Sequence, residues 1–80
     1  MFTNDLKKGT RVRLACGWFA TLADNQKGNT RLADVEGFCR EIGSVYSHDI
    51  VAALIDGTWQ QVEHTPAQLK LKKNVDTFFG

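Results

Sequence analysis

A single proline, Pro66, divides the chain, and it sets what can fold on either side of it. Nothing before it removes a backbone N–H from a sheet, so the first sixty-five positions are free to pair as strands. At Pro66 itself the fixed φ and the missing donor suit the first position of a helix. The letters around it agree. Thr65, Pro66, Ala67 and Gln68 match a capping box, with Thr65 at the N-cap and Gln68 reaching back. Leu71, Val75, Phe78 and Phe79 follow at helical spacing. Lys70, Lys72 and Lys73 suit the negative end of a helix dipole, which places the helix at about 66–74.

Upstream, the hydrophobic period is two. Val12 and Leu14 alternate with Arg11 and Arg13, as in a half-buried strand. Trp18, Ala20 and Leu22 share one face of a second strand, which puts Trp18 in the core. The polar run 24–29 reads as a loop, with Gly28 or Asn25 available for positive φ. Thr30 to Glu36 is a third strand in which Leu32 and Val35 share a face only if a bulge intervenes. Phe38 to Tyr46 is a fourth, with Gly43 as a kink. Ser47-His48-Asp49 is one helical turn, capped by Ser47 or Asp49, with His48 at the surface. Ile50 to Ile55 is apolar on both faces and therefore the most buried strand. Asp56-Gly57 predicts a type I′ hairpin turn into Thr58–Glu63. The expectation is one mainly β domain over 1–80. It is a small closed or partly closed barrel of five to six antiparallel strands with a C-terminal α-helix, since closure removes the edge that would template aggregation.

Ten basic and nine acidic residues leave a net charge of +1, against a strongly basic nucleic-acid binder. The charge is segmented: +3 over residues 1–13, −3 over 37–65 and +2 from Pro66 onward. Two readings follow. Either the termini meet on one positive face, or this is ordinary surface charge. No apolar run reaches the roughly 20 residues of a membrane span, and Asn4, Asp5, Lys7 and Lys8 interrupt any leader-like core. A cytoplasmic location is expected. Cys16 and Cys39 are too few for a disulfide scaffold and read as free, half-buried thiols.

Lys8 to Asn25, through Gly9, Val12, Leu14, Gly17 and Leu22, resembles the KOW-type SH3-like small barrel of ribosomal and transcription-elongation proteins. That resemblance implies nucleic-acid binding. The family's second glycine is Ala20 here. The chain as a whole, through Lys27–Arg31 and Glu41–Ile50, resembles small uncharacterised proteins of phages and mobile elements. Gly43-Ser44-Val45 with Val51–Leu54 resembles the plasmid-borne trimethoprim-resistant dihydrofolate reductase. The pore stretch of that family, Val-Gln-Ile-Tyr, is replaced by Val45-Tyr46-Ser47-His48, so its catalysis does not carry over.

No catalytic, cofactor or metal constellation emerges from spacing. His48 beside Asp49 reads either as a general base or as part of a structural turn. Of the aromatics, Trp18, Phe19, Tyr46 and Trp59 are the set that could reach the surface, where stacking or protein contact uses them. The leading expectation is a non-enzymatic module that docks on a protein partner without a cofactor or a membrane, and that forms a homo-oligomer through Phe78 and Phe79. The alternative is nucleic-acid binding. The candidate contact residues are Lys7, Lys8, Arg11, Arg13, Tyr46, His48, Trp59, Lys70, Lys72 and Lys73.

Overall fold

The structure is a computed structural model that describes residues 1–37 and 40–79, with side chains described for 1–37 and 42–75. Cys39, Phe78 and Phe79, invoked above as a thiol and as an oligomer contact, have side chains outside the described residues. Six strands form one antiparallel sheet: β1 (Arg11–Leu14), β2 (Phe19–Leu22), β3 (Thr30–Glu36), β4 (Arg40–Tyr46), β5 (Ile50–Ile55) and β6 (Thr58–Gln61). Their order is β4-β3-β2-β1-β5-β6. Short 3₁₀ turns lie at Thr3–Asp5 and Ser47–Asp49, and α1 spans Pro66–Phe79.

The alternation read from the sequence sets the faces. Val12, Leu14, Ala20, Leu22, Ala33, Ile50, Ala53 and Val62 form the core with Leu6. The Asp56-Gly57 turn has φ of 50° and 81°, as a type I′ hairpin requires. Thr65 Oγ1 accepts from the Gln68 N–H at 3.2 Å, and Gln68 Oε1 accepts from the Thr65 N–H at 3.0 Å. The capping box is therefore formed in both directions.

Several expectations are corrected. The sheet is open rather than a closed barrel. The chain beyond β6 is engaged elsewhere: the Val62 N–H bonds Val51 O, and Glu63 bridges in parallel to Phe2. Among the described residues no strand returns to β4. The β3–β4 ladder runs unbroken from Thr30↔Tyr46 to Glu36↔Arg40, through Gly43, and the β2–β3 ladder is also continuous. No bulge reconciles Leu32 with Val35. Instead Arg31 and Ala33 point inward and Leu32 faces out. The bulge lies between Arg13 and Leu14, against β5. Trp18 is 43% exposed, not in the core. The helix runs past Asn74 to Phe79 because no glycine or proline lies between the two to stop it.

Arg31 replaces the missing bulk inside. Its guanidinium is buried, and a lone buried charge would be costly, so every arm has a partner. Nε donates to Asp24 Oδ1 at 2.8 Å, Nη1 to Thr3 O at 2.6 Å and Nη2 to Asp24 O at 2.6 Å. A few ångströms along the chain, the Gly28 carbonyl accepts from Ser47 Oγ at 2.8 Å and from Gln68 Nε2 at 3.0 Å. Gln68 Nε2 also donates to Thr3 Oγ1 at 3.3 Å. Thr3, Arg31, Ser47 and Gln68 are all buried. A polar clasp thus joins both 3₁₀ turns, the 23–29 loop and α1, in a chain whose apolar core is rich in alanine.

Candidate binding surfaces

The outward row of the sheet carries Arg11 and Arg13 on β1, Phe19 on β2 and Trp59 on β6. Arg13 is paired with Phe19 on one side and Ala52 on the other, and Trp59 is paired with Leu54. Strands β2 and β6 are separated by β1 and β5, which corresponds to about 14 Å at ordinary strand spacing. Yet the Phe19 and Trp59 rings lie 5.7 Å apart, tilted by 45°. The sheet is coiled enough to bring them together, over a row in which Ala52 is short and buried. The Arg11 guanidinium lies 5.2 Å from the Phe19 ring centroid, a cation–π geometry.

The two arginines differ in what they can offer. Arg11 makes a two-pronged ion pair with Glu36 at 3.1 and 2.9 Å. The Glu36 hydrogen bonds and charge raise its pKa further against the lowering effect of desolvation. Arg13 is exposed and has no acidic partner among the described residues. It lines a shallow cleft of about 360 Å³ with Val51, Ala52, Trp59, Gln60 and Gln61.

A second cleft, of about 460 Å³, lies where the β1–β2 turn meets the end of β4. Leu14, Cys16, Val45, Tyr46 and Asp49 line it. Tyr46 stacks nearly parallel on His48, with centroids 4.9 Å apart and an interplanar angle of 10°. His48 is buried, not at the surface as expected, because the 3₁₀ turn rolls it under Tyr46. Its Nε2 is 3.7 Å from Asp49 Oδ1, beyond hydrogen-bond reach, and Nδ1 has no hydrogen-bond partner among the described residues. The cap at this turn differs too: Tyr46 occupies the N-cap with no side-chain bond, since Ser47 Oγ is directed to Gly28. His64 is also structural, with Nε2 2.9 Å from Ile50 O.

Lys7, Lys8, Lys70, Lys72 and Lys73 are exposed. The Lys8 N–H is bonded to Asn25 Oδ1, which places the first pair by the 23–29 loop, whereas the second group lies on α1. Neither lines the two clefts just described. Cys16 is a free thiol and is exposed rather than half-buried. Among the described residues no three His, Cys, Asp or Glu side chains are placed to hold a metal, and no helix is long and apolar enough to cross a membrane.

Of the sequence-predicted contacts, the structure brings together Arg11, Arg13 and Trp59, with Phe19 added. Tyr46 lies by the other cleft. Leu14, Val45 and Asp49 were not foreseen there, since only the strand order puts the β1–β2 turn beside β4. Comparison with family models, curated proteins and solved structures returns no match for the chain.

Proposed function

We propose that the chain is a non-enzymatic binding module of SH3-like type that docks on a protein partner, an accessory protein of a phage or mobile element. A four-strand meander, the 3₁₀ turn between β4 and β5 and the return of β5 to β1 support the SH3-like reading. The observation that carries the docking reading is the Phe19–Trp59 pair, part exposed and flanked by Arg13, which has no acidic partner among the described residues. Tryptophan and arginine at the centre of a patch dominate binding energy at protein interfaces, provided a rim excludes water. Gln60, Gln61 and the Arg11–Glu36 pair supply such a rim.

The test is capture from nuclease-treated lysate of the source cells, comparing the wild type with Trp59→Ala and Arg13→Ala. A protein retained by the wild type and lost by both variants supports docking through this patch. Equal retention by all three overturns it.

Nucleic-acid binding is the second reading, favoured by the exposed lysines of α1. It predicts a steep fall in affinity with salt as phosphate contacts release counterions. An isotherm with single-stranded RNA and duplex DNA at two salt concentrations decides it, and absence of binding at low salt removes it.

A further inference from the structure

An antiparallel ladder assigns alternate residues of an edge strand to its partner and to solvent. The Ser47 N–H bonds Asn29 O at 2.8 Å, in the same register as Val45↔Arg31 and Gly43↔Ala33. The peptide groups of Val45 and Gly43 therefore face β3. Those of Ile42, Ser44 and Tyr46 face away from it, along an edge where the sheet ends. Edge strands are usually blunted by brevity, a proline or a bulge. β4 has seven residues, no proline and an unbroken register, and its Ile42 is 67% exposed.

The cleft of Leu14, Cys16, Val45, Tyr46 and Asp49 opens at the C-terminal end of this edge. Its walls are mostly apolar. Its one charged lining residue is Asp49, whose side chain is 46% exposed.

We propose that β4 accepts an extended segment of a partner protein as a seventh strand, with a bulky apolar side chain in this cleft and a neighbouring lysine or arginine on Asp49. Three outward peptide groups fit a strand and not a helix, because a helix has spent its own donors and acceptors internally. This is strand addition, in which main-chain bonds supply affinity and pockets for alternate side chains supply specificity. The carboxylate sets the sign of the partner's charge. The inference rests on the docking reading above but uses a different surface.

The probe is a peptide selected from a random library displayed on phage against the full chain, then synthesised. Selected sequences are expected to pair a basic residue with a bulky apolar one. Bound peptide should slow amide exchange at Ile42, Ser44 and Tyr46 by about tenfold or more, with smaller changes at Gly43 and Val45. Ile42→Pro deletes one outward donor and leaves the β3 ladder intact, a placement proline tolerates at an edge. It should weaken the peptide about tenfold. N-methylating alternate peptide nitrogens should do the same without touching the protein. Asp49→Asn should weaken binding several-fold and flatten its salt dependence.

Protection of other amides, or full binding by Ile42→Pro and by the N-methylated peptide, overturns the proposal. So does protection of the three amides without peptide in a chain that sediments as a dimer, since the edge would then belong to a second copy. Peptides that bind but are lost on Trp59→Ala, not on Ile42→Pro, overturn strand addition while leaving the docking reading standing. Selection of no peptide overturns strand addition and leaves the docking reading to the capture experiment.

Discussion

Gln68 Nε2 donates to the carbonyl oxygen of Gly28 at 3.0 Å, forty residues away in sequence, while Gln68 Oε1 caps its own helix at Thr65. One side chain starts α1 and fastens it to the 23–29 loop. The same amide reaches Thr3 Oγ1, so the N-terminal 3₁₀ turn is held by it as well. A surface capping residue would contribute only the first of these.

Gln68→Met keeps the volume and removes every side-chain hydrogen bond, while the backbone N–H at 68 still donates to Thr65 Oγ1. The reciprocal half of the capping box is worth up to about 1 kcal/mol, and the Gly28 carbonyl, which keeps Ser47 Oγ, and Thr3 Oγ1 each lose a donor, at about 1–3 kcal/mol more together. The expected loss is about 2–4 kcal/mol in urea denaturation, a large share of the roughly 4–12 kcal/mol that a domain of this size has. Thr65→Ala loses only the cap and should cost about 1 kcal/mol. Equal losses for the two variants would show that the links to Gly28 and Thr3 carry no energy.

Arg31→Lys preserves the charge and should still be severe. A lysine ammonium cannot reach Asp24 Oδ1, Asp24 O and Thr3 O with the fixed fork that these three acceptors match. Breaking a buried charge network by removing one partner costs about 3–5 kcal/mol. The variant is expected to show that loss in urea denaturation and to melt well below the wild type by circular dichroism. Arg11→Lys, at the exposed Glu36 pair, should unfold within about 1 kcal/mol of the wild type.

These two networks mark the limit of what the letters reveal. Local pattern suffices for Val12 with Leu14, Ala20 with Leu22, the Asp56-Gly57 turn and the Thr65–Gln68 box, because each depends on neighbours one to four positions away. No local pattern marks Arg31 as buried, and Leu32, expected to share a face with Val35 only across a bulge, instead faces out. The burial of Arg31 depends on a carbonyl at Thr3 and a carboxylate at Asp24, brought near only by the finished fold. Ser47 misleads similarly: its hydroxyl suits a local cap, yet it bonds Gly28, nineteen positions back. The candidate surfaces divide in the same way. Phe19, Tyr46 and Trp59 are recognisable by type, and all are part exposed. That β4 is an edge, with the β1–β2 turn beside its end, follows from strand order and has no local signal.

Asp24 makes the clasp sensitive to acid. Burial by itself would raise its pKa. The hydrogen bond from Arg31, the Leu32 N–H at 3.0 Å and the Arg31 charge outweigh that and hold it below the ordinary aspartate value. A depressed folded pKa means that the unfolded chain takes up the proton first. The stabilisation is therefore complete above the unfolded value of about 3.9 and is lost as pH falls through the folded value. Urea midpoints measured between neutral pH and pH 2 should drop in that window. Asp24→Asn should lower the midpoint at neutral pH and remove its share of the acid slope. An unchanged slope would mean that Asp24 titrates alike in both states.

Gly37 is required by Trp18 rather than by its own backbone. A Cβ built at Gly37 would collide with the six-membered part of the Trp18 ring, at 2.6 Å from Cε3 and 2.7 Å from Cη2. The indole therefore lies flat against a position that has no side chain, which is how a residue 43% exposed is still held in place. Gly37→Ala must push the ring away. Crowding of this kind costs about 1–3 kcal/mol when neighbours cannot yield. Trp18 has solvent on its other side, so the lower end, about 1 kcal/mol, is expected. The sharper readout is optical. In a Trp59→Phe background, where Trp18 is the one indole, Gly37→Ala should shift emission to the red and increase quenching by iodide. Gly43→Ala, with nothing within 4 Å of its would-be Cβ, should leave the same spectrum unchanged. A spectrum insensitive to Gly37→Ala would mean that the ring does not rest on that glycine in solution.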